Sequence, residues 1–482
     1  LGCQFFPVKN SDNDSHITLL RKYNSEFWPG KHFPKIEIQL IEMKYSFLKQ
    51  RRFGGPRELP LNGRSHHESF IVTLQNVIHE IVPERNLGNF SCEINSHDAS
   101  ELFKIGETFT DIQPTTYPHI LEVESACLKI IAEITNVDLP KSSFGISCAG
   151  VTEAATFVGS ALKQRWLARY NLPHWNVPNL IFSQHASENW NLFCSICDVT
   201  SRIIPSALLK APIVVDRLAP YVDSNTIGIV GTIGSPLTGN LENIEELHLA
   251  LNHINATSGL DIPIHVDASI GGLPAHFLSP KRIWDFRIPR VSSLNISGHQ
   301  CGFTSSPIHW ILWRRDSFDD DIKGTTPNSK NSLHSQRLTI PYSMGAILSH
   351  YYTFIHLGRA GFRELYEQIN TYKLRLIKFI DTFPEFEIIS EVDSVPAVVW
   401  IIREHSSFTA TEVSHELRRR GWIVPHFTLP VGDTDLSALR IVIRSSYTAR
   451  TEELLFAHIL EVVEYLRNQQ LIANHQIFGN SK

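Results

Sequence analysis

Between residues 61 and 330 the chain alternates helical patterns with short apolar runs, and no other feature restricts its fold as much. Over residues 154–170 apolar side chains fall at Ala154, Phe157, Val158, Ala161, Leu162 and Leu167, close to the helical period of about 3.6 residues. Asn179-Leu180-Ile181-Phe182, Gly228-Ile229-Val230 and Ile264-His265-Val266 are of strand length and are expected as buried parallel strands. Helix and strand in alternation predict the α/β class, with a mainly parallel, doubly wound sheet and ligands at the carboxyl ends of its strands.

Three regions are expected: an arm over residues 1–60, ending in the breaker Gly54-Gly55-Pro56; a large domain over 61–330; and a small C-terminal α+β domain over 331–482. The polar, turn-rich stretch 324–332 marks the second boundary. Beyond it a helix is expected near 344–362, strands at 395–402 and 439–443, and helices at 412–420 and 451–467. With 482 residues the chain is long enough for a deep core. Its 44 basic and 49 acidic residues are interspersed, with a net charge of −5, which leaves no nucleic-acid or membrane footprint. No apolar run approaches the roughly 20 residues of a membrane span, and the first residues lack a signal-peptide pattern, so a soluble cytoplasmic protein is expected.

The seven cysteines are too scattered for a disulfide framework. Cys194-Ser195-Ile196-Cys197 has redox or half-zinc spacing without a second pair, and is expected as part of a packed helix before the strand Ile203-Ile204. The 23 histidines are equally dispersed; His66-His67 is expected in a solvated loop, and no metal site is expected.

One block does point to chemistry: Asn295-Ile296-Ser297-Gly298-His299-Gln300-Cys301-Gly302. It follows His265-Val266-Asp267-Ala268-Ser269-Ile270-Gly271-Gly272 and Trp284-Asp285-Phe286-Arg287-Ile288-Pro289-Arg290-Val291. Upstream lie Gly150-Val151-Thr152-Glu153-Ala154 and Thr238-Gly239-Asn240; downstream come Leu417-Arg418-Arg419-Arg420-Gly421-Trp422-Ile423-Val424-Pro425 and Leu439-Arg440-Ile441-Val442-Ile443-Arg444. In order and spacing these blocks resemble the glutamate decarboxylase family, among the group II pyridoxal-phosphate (PLP) dependent amino-acid decarboxylases. The resemblance implies the fold type I of PLP-dependent transferases, a large doubly wound domain with a small C-terminal α+β domain. It also implies a homodimer with small-molecule pockets at the interface and the N-terminal arm laid across the partner.

In that family a lysine after the histidine forms the Schiff base with PLP and returns a proton after bond cleavage. Gln300 stands there in this chain, a neutral amide that only donates and accepts hydrogen bonds. No covalently bound cofactor is therefore expected, and noncovalent PLP is left open. The resemblance assigns Asp267 to the pyridine nitrogen, His299 and Thr152 to the phosphate, Thr232 to the ring face and Arg440 to the substrate carboxylate. Each has a structural alternative: a capped turn for Asp267, a core histidine for His299, an N-cap for Thr152 and a small-domain salt bridge for Arg440. Val151 replaces a hydroxyl of the phosphate loop, Ser187 a larger group over the ring and Pro341 a partner-supplied serine. Around Ser69-Phe70 and residues 95–98, His97 and Ser100 replace the side chains that hold glutamate.

Three readings follow. In the first, the pocket with Asp267, His299, Gln300, Thr232 and Arg440 is repurposed for a Schiff-base-independent lyase or cyclisation reaction on a small metabolite. In the second, the protein is a non-catalytic pseudoenzyme or partner of an active decarboxylase. In the third, it is a PLP-dependent decarboxylase whose lysine has been substituted. The further departures at Val151, Ser187 and Pro341 place the third last.

Overall fold

The computed structural model describes residues 61–75, 83–92, 96–109, 117–137, 143–170, 176–205, 218–304, 307–315 and 343–479. The expected arm, the 324–332 linker and Pro341 lie outside these residues. The chain divides into two compact units, Leu1–Pro83 and Glu84–Lys482. In the first, helix α1 (His66–Gln75) corrects the loop expected at His66-His67. Ser65 and Glu68 explain it. The Ser65 N–H donates to Glu68 Oε2 at 3.0 Å while the Glu68 N–H donates to Ser65 Oγ at 3.3 Å, a reciprocal capping box that starts the helix at His66.

The second unit opens with α2 (His97–Gly106) and α3 (Pro118–Ile134). It then runs β1 (Ser143–Cys148), α4 (Val151–Tyr170), β2 (Asn179–Ser183), α5 (Glu188–Ile196), β3 (Thr200–Ile204) and β4 (Thr226–Thr232). Next come α6 (Ile244–Ser258), β5 (Ile264–Asp267), α7 (Gly272–Leu278), β6 (Val291–Ser297) and β7 (His309–Arg314). These strands form one seven-stranded sheet in the order β1-β7-β6-β5-β4-β2-β3. Strands β2 to β6 pair in parallel, and β7 runs antiparallel between β6 and β1. This is the doubly wound, mainly parallel sheet expected.

Apolar residues alternate between the two faces of this sheet. Leu180, Phe182, Val230 and Ile311 pack with α4 and α5, whereas Ile181, Ile229, Ile264 and Leu312 belong to the larger core on the other side. Helix α4 buries Ala154, Ala155, Val158, Leu162 and Trp166, one stripe at helical spacing. Gly159 lets α5 approach it: a Cβ there would lie 2.2 Å from Phe193 Cζ. Cys194 and Cys197 fall on α5 and at its C-cap, as expected.

Helix α8 (Met344–Ile380) is longer than the 344–362 expected. It is two helices joined at Gly358, whose φ of 56° and ψ of −175° suit only glycine. After it, β8 (Phe386–Ile388), β9 (Ala397–Ile402), β10 (His426–Val431) and β11 (Thr434–Val442) make an antiparallel sheet in the order β10-β11-β9-β8. Helices α9 (Ala410–Arg419) and α10 (Ala449–Gly479) accompany it, giving the small α+β portion expected. Residues 84–92 stitch the two sheets together. The Leu87 N–H donates to the Ile423 carbonyl at 2.9 Å and the Leu87 carbonyl accepts from Val442 at 2.7 Å, while the Cys92 N–H donates to the His299 carbonyl at 3.0 Å.

Candidate functional site

A parallel sheet delivers polar side chains to its carboxyl edge, and here the strand register sets Thr232 opposite Asp267 and Asp267 opposite Asn295. Asp267 is 4% exposed and its carboxylate is held by its own chain. Oδ1 accepts from the Ser269 hydroxyl at 2.5 Å, the Ser269 N–H at 3.2 Å and Asn295 Nδ2 at 3.3 Å; Oδ2 accepts from the Trp190 indole N–H at 3.0 Å. With Asn295 Nδ2 facing the carboxylate, Asn295 Oδ1 accepts from His265 Nε2 at 2.9 Å. His265 Nδ1 then accepts from the Ser293 hydroxyl at 2.9 Å. Burial lowers the His265 pKa to about 4, with the Asp267 charge opposing, so the imidazole in this ladder is neutral.

Beside Thr232 lies a second buried acid, Glu242. Its Oε2 accepts from the Thr232 N–H at 2.7 Å and its Oε1 from the Ser183 hydroxyl at 2.8 Å. Burial pushes its pKa up to about 8, with the Asp267 charge adding to the rise, which keeps Glu242 a carboxylic acid near neutral pH. The Thr232 hydroxyl itself is buried without a partner among the described residues.

The loop after β6 is rigidly seated. The Gln300 N–H donates to Ser297 Oγ at 3.0 Å, and Gln300 forms an antiparallel bridge with Ser91. Ser297 Oγ lies 3.0 Å from His299 Nδ1, which is also 3.3 Å from the Ile308 nitrogen. The same Nδ1 lies 3.4 Å from the Ile308 carbonyl, so these partners accommodate the ring proton on either nitrogen. Burial lowers the His299 pKa, so the ring is neutral with one donor to offer. Gln300 Oε1 is buried without a partner among the described residues. Leaving such an atom unpaired costs about 1–3 kcal/mol, which favours a ligand donor at this position.

At the amino end of α4 the side chains of Thr152 and Glu153 are engaged within the chain. Thr152 Oγ1 lies in the first turn and donates to Asn189 Oδ1 at 2.6 Å, while Glu153 Oε2 accepts from the Ala149 N–H at 2.7 Å. Thr152 therefore does not serve as the N-cap considered for it. The Val151 side chain contributes no polar atom. Ser187 is the N-cap of α5, accepting from Asn189 Nδ2 at 2.7 Å. Arg440, on β11, forms no salt bridge among the described residues. It donates to the Pro236 carbonyl and, at 2.9 Å, to the Gly88 carbonyl, between the rings of Phe90 and Phe427. Burial lowers its pKa to about 10, and its Nε is unpartnered. His97 and Ser100 are exposed on α2, and Ser69 and Phe70 are exposed on α1 of the other unit.

No Schiff base can form at Gln300, which has no amine. The Thr152 hydroxyl and the Ala149 N–H are engaged within the chain, the Val151 side chain offers no donor to a phosphate, and Asp267 already accepts four hydrogen bonds. Among the described residues no group of three His, Cys, Asp or Glu is placed to hold a metal. Trp190, Ser269, Asn295, His265 and Glu242 shape the site without having been singled out as site residues. For His265 and Asn295 the one signal in the sequence was polarity inside strand-length apolar runs, where burial requires a partner.

Comparison with known proteins places this geometry. Residues 105–403 match the pyridoxal-dependent decarboxylase conserved domain. The chain is 30% identical over 394 residues to glutamate decarboxylase 5 of Arabidopsis thaliana, covering 79% of this chain and 78% of that protein. It is also 30% identical over 391 residues to a glutamate decarboxylase of Aliivibrio fischeri, covering 79% and 83%. A glutamate decarboxylase structure from Lactobacillus brevis superposes with a TM-score of 0.79 at 26% identity, covering 86% of this chain and 95% of that one. The 4-hydroxyphenylacetaldehyde synthase of Rhodiola rosea, at 16% identity and a TM-score of 0.71 over 95% of this chain and 99% of that one, shares the fold.

Proposed function

The chain belongs to the pyridoxal-dependent decarboxylase family, and from that premise we propose that it is a glutamate-decarboxylase-like protein repurposed for chemistry without a Schiff base. Gln300 takes the position of the lysine, and the pocket carries out a lyase or cyclisation step on a small metabolite. One observation carries this: Gln300 is pinned by its backbone at the strand end, yet its Oε1 is buried without a partner. The Thr232 hydroxyl and Arg440 Nε share that condition. Unpartnered polar atoms at the end of β4, past the end of β6 and on β11 favour a polar ligand over an inert core. In this reading His299 is the acid–base group; Gln300 and Thr232 orient the ligand, and Arg440 binds an anionic part of it. Asp267, held by its own chain, supplies the fixed negative charge.

The same reading makes the protein a cytoplasmic homodimer that carries no covalently bound cofactor. No helix among the described residues is long and apolar enough to cross a membrane. A second reading, a non-catalytic partner of an active decarboxylase, draws support from Asp267, whose hydrogen bonds are complete without any ligand. The test begins with purified protein mixed with PLP, reduced with borohydride and digested. The expected result is no reduced adduct on any lysine and no visible Schiff-base band retained after desalting; a stoichiometric adduct would overturn the proposal. Soaking crystals with small carboxylated metabolites then separates the two readings, since density bonded to Gln300 Oε1 is expected of the first and an empty pocket of the second.

A further inference from the structure

Just beyond Gln300 two residues with side chains sit in the left-handed region of backbone space, Cys301 at a φ of 61° and Phe303 at 64°. Neither is Gly, Asn or Asp, so the conformation has to be held by what surrounds it. Gly302, between them, shows how tightly the chain doubles back: a Cβ there would lie 2.2 Å from the Gly298 carbonyl oxygen. The Thr304 N–H closes the turn on that same oxygen at 3.3 Å.

Helix α8 grips this turn from both sides of its break at Gly358. Before the break, Ser349 Oγ accepts from Thr304 Oγ1 at 3.2 Å, and His350 lies against Gly298, where an added Cβ would come within 2.7 Å of Nδ1. After the break, the Tyr366 hydroxyl donates to the Cys301 carbonyl. Tyr366 is 0% exposed, with the ring centroids of Phe303 at 5.0 Å and Phe277 at 5.6 Å. Packing on that scale fixes where its hydroxyl stands.

The two peptide groups that flank Cys301 are therefore anchored separately. On one side the Cys301 N–H donates to the Phe90 carbonyl at 3.2 Å, and on the other the Cys301 carbonyl accepts from Tyr366. A return to negative φ has to break one of these bonds. Gln300 shares its peptide group with the Cys301 N–H, so a turn that relaxes on that side carries Gln300 with it.

We propose that Tyr366 is a positioning residue for Gln300, its hydroxyl holding the left-handed turn that keeps Gln300 Oε1 in the pocket. The proposal rests on the reading of Gln300 as a ligand-orienting group. Tyr366 acts through Cys301 and meets no ligand itself. A tyrosine buried for packing alone would be replaceable by phenylalanine without moving the turn.

The test follows amide hydrogen exchange in the full-length protein with no ligand added. In Tyr366→Phe, which keeps the ring and removes the hydroxyl, the peptide covering 298–304 is expected to exchange about tenfold faster or more, with β6 and the second half of α8 unchanged. A crystal structure of this variant is expected to show Cys301 at negative φ and the Gln300 side chain displaced. Placing 4-aminophenylalanine at position 366 restores a donor and is expected to restore the wild-type rate. A wild-type exchange rate at 298–304 in Tyr366→Phe, or a Gln300 side chain left in place, would overturn the proposal. So would faster exchange spread evenly along α8 that the amine does not reverse, the mark of lost packing. If Tyr366→Phe does not fold, Cys301→Gly is added to it, because glycine takes the left-handed turn without strain. A folded double variant with wild-type exchange at 298–304 supports the proposal, and one that stays unfolded overturns it. Because no ligand is present, an empty pocket after metabolite soaking would sink the proposed reaction and leave this result standing.

Discussion

Gln300→Lys restores an amine to a loop whose backbone is already fixed by Ser297 and Ser91. Added PLP is expected to give weak Schiff-base absorbance at position 300 without efficient release of CO2 from glutamate. The Thr152 hydroxyl is committed to Asn189 and the Val151 side chain cannot bond a phosphate, so covalent attachment offsets poor binding without correcting substrate position. Robust glutamate decarboxylation by this variant would show the pocket intact and sink the repurposing proposal. Glu242 supplies a pH test of the same edge. Its folded pKa of about 8 stands above the ordinary value of 4.5, so its contribution to stability is complete below the ordinary value and is lost as pH rises through about 8. Glu242→Gln removes that titration. The urea midpoint of the wild type is therefore expected to fall relative to Glu242→Gln between about pH 5 and pH 8.5; parallel pH profiles for the two proteins would refute this.

Among the elements, the contact of α4 with α5 is the most exacting, because Phe193 fills the space where a Gly159 side chain would begin. Gly159→Ala is expected to destabilise by about 1–3 kcal/mol through overpacking, and Phe193→Leu in the same chain to recover part of that loss in a denaturant titration. Losses that simply add would mean the two residues do not meet. Elements such as β2, β4 and β5 were legible beforehand because both their faces are buried, which leaves apolar runs of strand length. Strand β10 was not: exposed and half-buried positions dominate it, and Pro430 interrupts it. Helix α8 read as ending near 362 because nothing local to Gly358 reveals that a second helix resumes there and runs on to Ile380. The site divides in the same way. Thr232, Asp267, His299 and Gln300 were visible as motif residues at strand ends, whereas Trp190 reaches Asp267 from 77 positions away, a partnership set by folding alone.

At the scale of the molecule, the two sheets share one core. A single buried cluster runs from Leu87 through Val266 and Leu294 of the large sheet to Val398, Trp400 and Leu439 of the small one. The 84–92 strap reinforces it, with Leu87 1% exposed and bonded through its backbone to Ile423 and Val442 while Cys92 reaches His299. Unfolding one sheet alone would strip apolar surface from the other, so both are expected to unfold together. Leu87→Ala tests this from the middle of the joint. It is expected to cost about 2–5 kcal/mol, as for other fully buried leucines. The measure is the denaturation midpoint reported separately from each sheet, by fluorinated tryptophan at Trp310 for the large one and at Trp400 for the small one, both almost wholly buried. A common downward shift at both positions is the expected outcome. A shift at Trp400 with Trp310 unmoved would mean that the small sheet unfolds on its own and that the strap does not couple it to the strand edge carrying Gln300.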